Sequence, residues 1–178
     1  MRIRTRRLEL LSCDQDILRI LISDKSIFEK MFDIAIPEKF TEFGLSPLHY
    51  SMKKLNDPTE SGWWTYLPLH LDTKMLIGTC GYKGKPDDHG VVEINYEIIE
   101  PMRNQGYAKE IAMALIERAF SFEEVKIVRA HTFPQENASV KVLKSCDMKF
   151  IDTSYDKENG VVWRWEIEFR HRESVWPI

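Results

Sequence analysis

Arg103, Asn104, Gln105 and Gly106 stand where the sequence changes period, and they carry its clearest chemical potential. Before them apolar residues alternate; after them apolar residues recur every three or four positions. The first amides of a helix have no partner inside it and point outward at the positive end of the helix dipole. Such a row favours anions, phosphates above all. Gly106 has no Cβ, so a ligand can approach the main chain closely there. Arg103 adds a cation that can reach a phosphate oxygen. An ordinary strand-to-helix turn would use the same residues, and residue types alone leave both readings open. No Gly-Lys-Ser/Thr follows, and the three spaced glycines of a dinucleotide fingerprint are absent.

The elements that must position this loop are legible. Val92, Ile94, Tyr96 and Ile98 alternate with Glu93, Asn95 and Glu97, which is a strand with one buried face. Pro101 cannot donate to a ladder, so pairing should stop near it. Ala108, Ile111, Ala112, Leu115, Ala119 and Phe122 form the stripe of an amphipathic helix. Upstream, residues 7–11 read as a strand. Asp14 with Ile17, Leu18, Leu21 and Ile22 reads as a capped helix, and residues 26–32 as a second one. Ser46-Pro47 predicts an N-cap and first helical residue, opening a helix towards Leu55. Residues 63–71 and 75–82 read as paired strands around Asp72-Thr73-Lys74, followed by a loop at 84–90. Downstream come a strand at 126–132, a helix at 138–146, and strands at 149–155 and 161–170 around the turn 157–160. In the last strand Val161, Trp163, Trp165, Ile167 and Phe169 share one face. The order mixes antiparallel strands with one strand-helix-strand crossover. That predicts an α+β fold, a mixed, mostly antiparallel central sheet with helices on both faces. One domain over residues 1–170 and a patternless tail at 171–178 are expected.

Composition narrows the partners. The chain has 178 residues, 43% of them hydrophobic, and a net charge of −3. That suits a sizeable core and gives no electrostatic case for nucleic acid or an acidic membrane. Arg2, Arg4, Arg6 and Arg7 are followed at once by Glu9, Asp14 and Asp16, unlike a transit peptide. No apolar run has the length of a signal core or membrane span. Cys13, Cys80 and Cys146 are scattered and odd in number, which predicts free thiols in a reducing, cytoplasmic setting and no metal site. Asp87, Asp88 and His89 read as a solvated turn.

Arg103-Asn104-Gln105-Gly106-Tyr107-Ala108 resembles the Arg/Gln-x-x-Gly-x-Gly/Ala signature of the GNAT family of N-acetyltransferases. His131 to Met148, with Asn137, Ala138, Ser139, Val142 and Leu143, resembles the family's Asn-Ala-Ser…Val-Leu segment. Arg7-Leu8-Glu9-Leu10 extends the likeness to the start of the chain. It points to the branch of the ribosomal-protein N-terminal acetyltransferases. The resemblance implies the acyl-CoA N-acyltransferase fold, with splayed strands before the signature and after the long helix. It implies acetyl-CoA as cosubstrate, its pyrophosphate held by the amides of Arg103, Asn104, Gln105, Gly106, Tyr107 and Ala108. Its pantetheine arm would run along Ile98 and Ile99, with Asn137 and Ser139 as further contacts. Three departures stand out. Asn137 is two residues before Ser139 where three is commoner. Asp147 and Met148 replace Gly and Phe. Leu143 occupies the place of a tyrosine that in some members protonates the thiolate.

A primary amine near a pKa of about 10.4 is mostly protonated at neutral pH, so a base or water relay helps its attack. Glu93 aligns with the family position that accepts this proton; a solvent-facing strand would also show a Glu here. Backbone amides near Ile98 and Ile99 could face the developing oxyanion. The expected reaction is direct acetyl transfer to a primary amine, of a small molecule or a protein N-terminus, in a ternary complex. A non-catalytic acyl-CoA sensor on the same fold is the alternative. His131 and the tryptophans read as structural, Cys80 and Cys146 as core, and a homodimer is compatible with the sequence.

Overall fold

Alternating apolar residues in the strands and a broad stripe on the longest helix must bury both faces of one sheet. The computed structural model describes residues 1–157 and 159–169. Glu158 of the expected last turn, Arg170 of the last strand and the tail 171–178 lie outside the described residues. The strands are β1 (Arg2–Arg4), β2 (Leu8–Ser12), β3 (Thr65–His70), β4 (Met75–Leu76), β5 (Gly78–Tyr82), β6 (Val91–Ile98), β7 (Ile127–Thr132), β8 (Lys149–Asp156) and β9 (Gly160–Glu168). The helices are α1 (Gln15–Ser23), α2 (Lys25–Phe32), α3 (Ser46–Lys54), α4 (Tyr107–Ala119) and α5 (Ala138–Ser145). The sheet order is β1-β2-β3-β5-β6-β7-β9-β8, with β4 paired to β3. Among the described residues β6 and β7 form the one parallel strand pair.

Two cores sandwich this sheet. On one face α4 and α5 pack Ile111, Leu115, Val140 and Leu143 against Leu8, Leu10, Tyr66, Ile94 and Ile98. On the other, α1, α2 and α3 bring Leu18, Leu21, Phe28 and Leu48 onto Leu11, Leu67, Leu69 and Ile99. Ile111 and Leu115 are fully buried, each contributing roughly 1.5–3 kcal/mol. Neighbours Ile98 and Ile99 thus anchor the end of β6 in opposite cores, the consequence of a two-residue side-chain period.

Several expectations shift by a residue or a role. Asp14 caps α1 through Ile17 N as predicted. At α3 the cap residue is Leu45, without a side-chain bond, and Ser46 already lies inside the helix. Asp147 takes the left-handed position with φ 60°. Met148 N then closes the helix end on Leu143 O at 3.1 Å, as a glycine there would permit. In β9, Trp165 is buried, but at the hairpin end Val162 is the buried residue and Val161 is half exposed.

The expected strand 75–82 is broken at Ile77. Gly78 resumes it with φ +153°, and a Cβ there would fall 2.0 Å from the carbonyl oxygen of Glu97. The close approach is main chain to main chain, so no rotamer change relieves it. Gly78→Ala should cost about 3 kcal/mol or more, read as a lower urea midpoint at unchanged slope. A midpoint within experimental error of the parent would refute the contact.

Candidate active site

Parallel strands β6 and β7 stay together only briefly. Val91, Val92 and Glu93 pair with Ile127, Val128 and Arg129, and there the pairing ends. Beyond it β6 runs on with β5 as far as Ile98, and β7 with β9 as far as Thr132. The two strands therefore splay and leave a cleft with main-chain groups on its walls.

The ladder decides which groups face that cleft. In an antiparallel pair, alternate residues turn both N–H and C=O to the same side. Ile99 N donates to Ile77 O at 2.9 Å, and Lys83 N donates to Glu93 O at 2.9 Å. From Glu93 onward the odd residues of β6 are thus spent on β5 and the residue after it, while Ile94, Tyr96 and Ile98 turn theirs towards the cleft. The register from Ile94 to Ile98 is continuous, without a bulge. Ile99 is corrected by this pattern: its N–H is taken by Ile77, and its carbonyl accepts from Met102 N. Ile98 and Tyr96 are the pair that can meet an extended arm.

Past Ile98 the chain makes a single 3-10 turn, Glu100–Met102, and enters the loop. Arg103 N donates to Glu100 O at 3.2 Å. Its Nε donates to Ile98 O at 2.9 Å and its guanidinium meets Glu42 at 3.3 Å. Arg103 therefore braces the end of β6 and turns to the acid, so the amide row begins after it, at Asn104. Asn104 and Gly106 are left-handed, φ 61° and 83°. Residues of this kind fold successive amides into a concave nest that suits an anion. Gly106 holds the N-cap position of α4 and no side chain caps that helix end. Asn104, Gln105 and Gly106 are exposed, Ala108 is half-buried, and the Tyr107 ring is buried.

Two braces hold this loop. Tyr107 Oη lies 2.8 Å from His70 Nε2, and Thr73 N donates to His70 Nδ1 at 3.2 Å. A nitrogen that accepts from an amide carries no proton, so Nε2 donates to the tyrosine oxygen. From the other side Arg7 stacks on the Tyr107 ring, 4.2 Å from its centre. It also reaches Gln105 O at 2.9 Å and Glu110 at 2.8 Å.

Across the cleft, Asn137 caps α5, its Oδ1 accepting from Val140 N at 3.0 Å. That use follows from its place before the helix, and it commits the side-chain oxygen locally. Ser139 is half-buried, and its carbonyl faces Tyr96 Oη at 3.5 Å, a long contact that brings α5 over the end of β6. Burial pushes the Tyr96 phenol up.

Glu93 is the last residue of β6 that pairs with β7, on the sheet face opposite Tyr96. Lys83 Nζ is 2.5 Å from its carboxylate and His131 Nδ1 is 3.0 Å away. That imidazole nitrogen is buried and sits off a hydrogen-bonding direction, so it is a close polar contact rather than a formed bond. Burial opposes ionisation of Glu93, but the His131 contact and the Lys83 ammonium outweigh it and hold the carboxyl below its ordinary value. Cys13, Cys80 and Cys146 are buried, and burial pushes each thiol up. None is poised as a nucleophile.

Lys83, His131, Arg7, Glu110 and His70 complete the site, and sequence reasoning assigned them no role in it. Their contacts with Glu93, Tyr107, Gln105 and one another span 10 to 103 positions along the chain, beyond any local pattern. The one available signal was Arg7, within the stretch Arg-Leu-Glu-Leu.

A splayed parallel strand pair, with an amide nest at its mouth and cleft-facing main chain along one wall, defines the class of acyl-CoA N-acyltransferase folds. Residues 12–149 match the acetyltransferase (GNAT) domain family. The chain belongs to the GNAT family. It is 30% identical over 83 residues to an uncharacterized N-acetyltransferase, YjdG, of Bacillus subtilis, covering 47% of this chain and 49% of that protein. The chain thus spans about half the length of the curated relatives it matches. Its fold superposes with TM-score 0.66 and 13% identity on RimL, a ribosomal-protein alpha-N-acetyltransferase solved with coenzyme A, covering 94% and 98% of the two chains. It superposes with TM-score 0.62 and 16% identity on a GNAT acetyltransferase of Bacillus anthracis, covering 94% and 98%. Among the described residues no helix is long and apolar enough to cross a membrane, and no cluster of three potential metal ligands forms.

Proposed function

We propose that the protein transfers the acetyl group of acetyl-CoA directly to a primary amine. The observation that carries this reading is the cleft itself: Tyr96 and Ile98 turn unspent N–H groups towards it while the nest at 104–108 opens at its mouth. The amides of Asn104 to Ala108 grip the pyrophosphate, and the helix dipole of α4 adds to the attraction. The main chain of Tyr96 and Ile98 bonds the pantetheine arm as an added strand would. An N–H of the same row faces the oxygen on which charge develops. Asn137 and Ser139 border the arm from α5. Glu93 receives, through water, the proton that the attacking nitrogen sheds as the C–N bond forms and the C–S bond breaks. The thiolate, near an ordinary thiol pKa of about 8.5, leaves without a dedicated tyrosine and takes its proton from water.

The acceptor is a small-molecule amine or a protein N-terminus; the likeness to RimL supports the second. Release of free thiol from acetyl-CoA, followed across a panel of amines and N-terminal peptides, tests the reading. Saturable turnover with at least one amine is expected, without accumulation of acetyl-protein. Tight coenzyme binding with no turnover on any acceptor would make the protein a sensor instead.

A further inference from the structure

We infer that Arg7, 98 positions before Gln105 in the sequence, is a positioning residue of the coenzyme site. This rests on the acetyl-CoA reading above. Arg7 Nη1 donates to the carbonyl oxygen of Gln105 at 2.9 Å. A trans peptide is planar, with its C=O and the following N–H pointing in opposite directions. Fixing the Gln105 carbonyl towards Arg7 therefore fixes the Gly106 N–H towards the opposite, exposed side of the loop. Gln105 sits between left-handed Asn104 and Gly106, and glycine has the freest backbone of any residue. Without an anchor this peptide can flip and present a carbonyl to the anion.

Arg7 is itself held rigidly. Its Nε and its own main-chain N–H both donate to Glu110 at 2.8 Å. Thr5 Oγ1 donates to the same carboxylate at 2.6 Å, and the guanidinium stacks on Tyr107. A planar fork can serve Glu110 and Gln105 at once; a lysine ammonium has no such geometry. Glu110 lies in the first turn of α4, close to where a pyrophosphate would sit. Arg7 therefore does two separable things. It neutralises that carboxylate, and it orients one peptide of the nest.

Calorimetry with coenzyme A separates them. Arg7→Met should raise Kd by roughly 10- to 100-fold, the effect expected of a lost charge-assisted hydrogen bond. Arg7→Lys should fall between, at about 3- to 10-fold. The double variant Arg7→Met, Glu110→Met removes the unpaired carboxylate and should recover thermal stability while Kd stays high. Recovery of parent affinity in the double variant would reduce Arg7 to a charge neutraliser and overturn the inference. A folded Arg7→Met with parent affinity would overturn it too. If Arg7→Met does not fold, the lysine and double variants decide by the same criteria. Absence of coenzyme binding in the parent protein would instead sink the acetyl-CoA reading.

Discussion

Gly106→Val should abolish measurable coenzyme binding while the protein remains folded. Gly106 has φ 83°, where an L-residue with a side chain costs roughly 1–2 kcal/mol and a β-branched one more. That strain alone would be relieved by turning the peptide, and the turn would take the amide out of the nest. The new side chain would also stand at the N-cap of α4, beside the free amides of Tyr107 and Ala108. Its Cβ would meet the Arg7 guanidinium at 3.4 Å, a tight but bearable contact. The loss therefore falls on binding more than on stability. Kd for coenzyme A should rise on the order of 100-fold or more, and by about 10-fold for Gly106→Ala. Melting temperature without ligand provides the control. A valine variant that binds within twofold of the parent would remove the nest from the site.

Glu93→Gln should reduce kcat by roughly 100-fold and leave KM for acetyl-CoA unchanged, because Glu93 stands at the closed end of the cleft and not at its mouth. The pH dependence carries a sign that tests the role. Burial works against the charge of Glu93, but the His131 contact and the Lys83 ammonium hold its carboxyl below the ordinary value. It is therefore ionised throughout the neutral range. The rise of rate with pH should follow the acceptor ammonium, and the glutamine variant should show the same rising limb under a lower plateau. Stability has its own sign. A depressed carboxyl stabilises the fold above its unfolded pKa and loses that contribution as pH falls through the folded one. Glu93→Gln should thus flatten the acid side of the stability profile. Unchanged kcat with a good acceptor would return Glu93 to an ion pair that only ties β6 to the loop after β5.

The elements were largely legible because their periods are local properties. Ile111, Ala112, Leu115 and Ala119 announced α4, and all four are buried. Gly106 was marked out by its missing Cβ, but the left-handed backbone of Gly106 and Asn104, which shapes the nest, was not read from the sequence. The roles of Ile99 and Arg103 were not legible. Ile99 looked equivalent to Ile98, yet the ladder gives its amide to Ile77 and leaves that of Ile98 on the cleft side. Arg103 looked free for a phosphate, yet it closes on Ile98 O and Glu42.

By itself the sequence determined the α+β order of elements, the position of the nest and the family to which the chain belongs. Those depend on periodicity, on a glycine and on short motifs, all of which are written in neighbouring residues. Tertiary structure alone decided where β6 leaves β7 and which amides face the gap. It also decided that Lys83 and His131 meet Glu93, and that Arg7 holds Gln105. These follow from hydrogen-bond parity between strands and from contacts between residues far apart in the chain, and no short window of sequence carries that information.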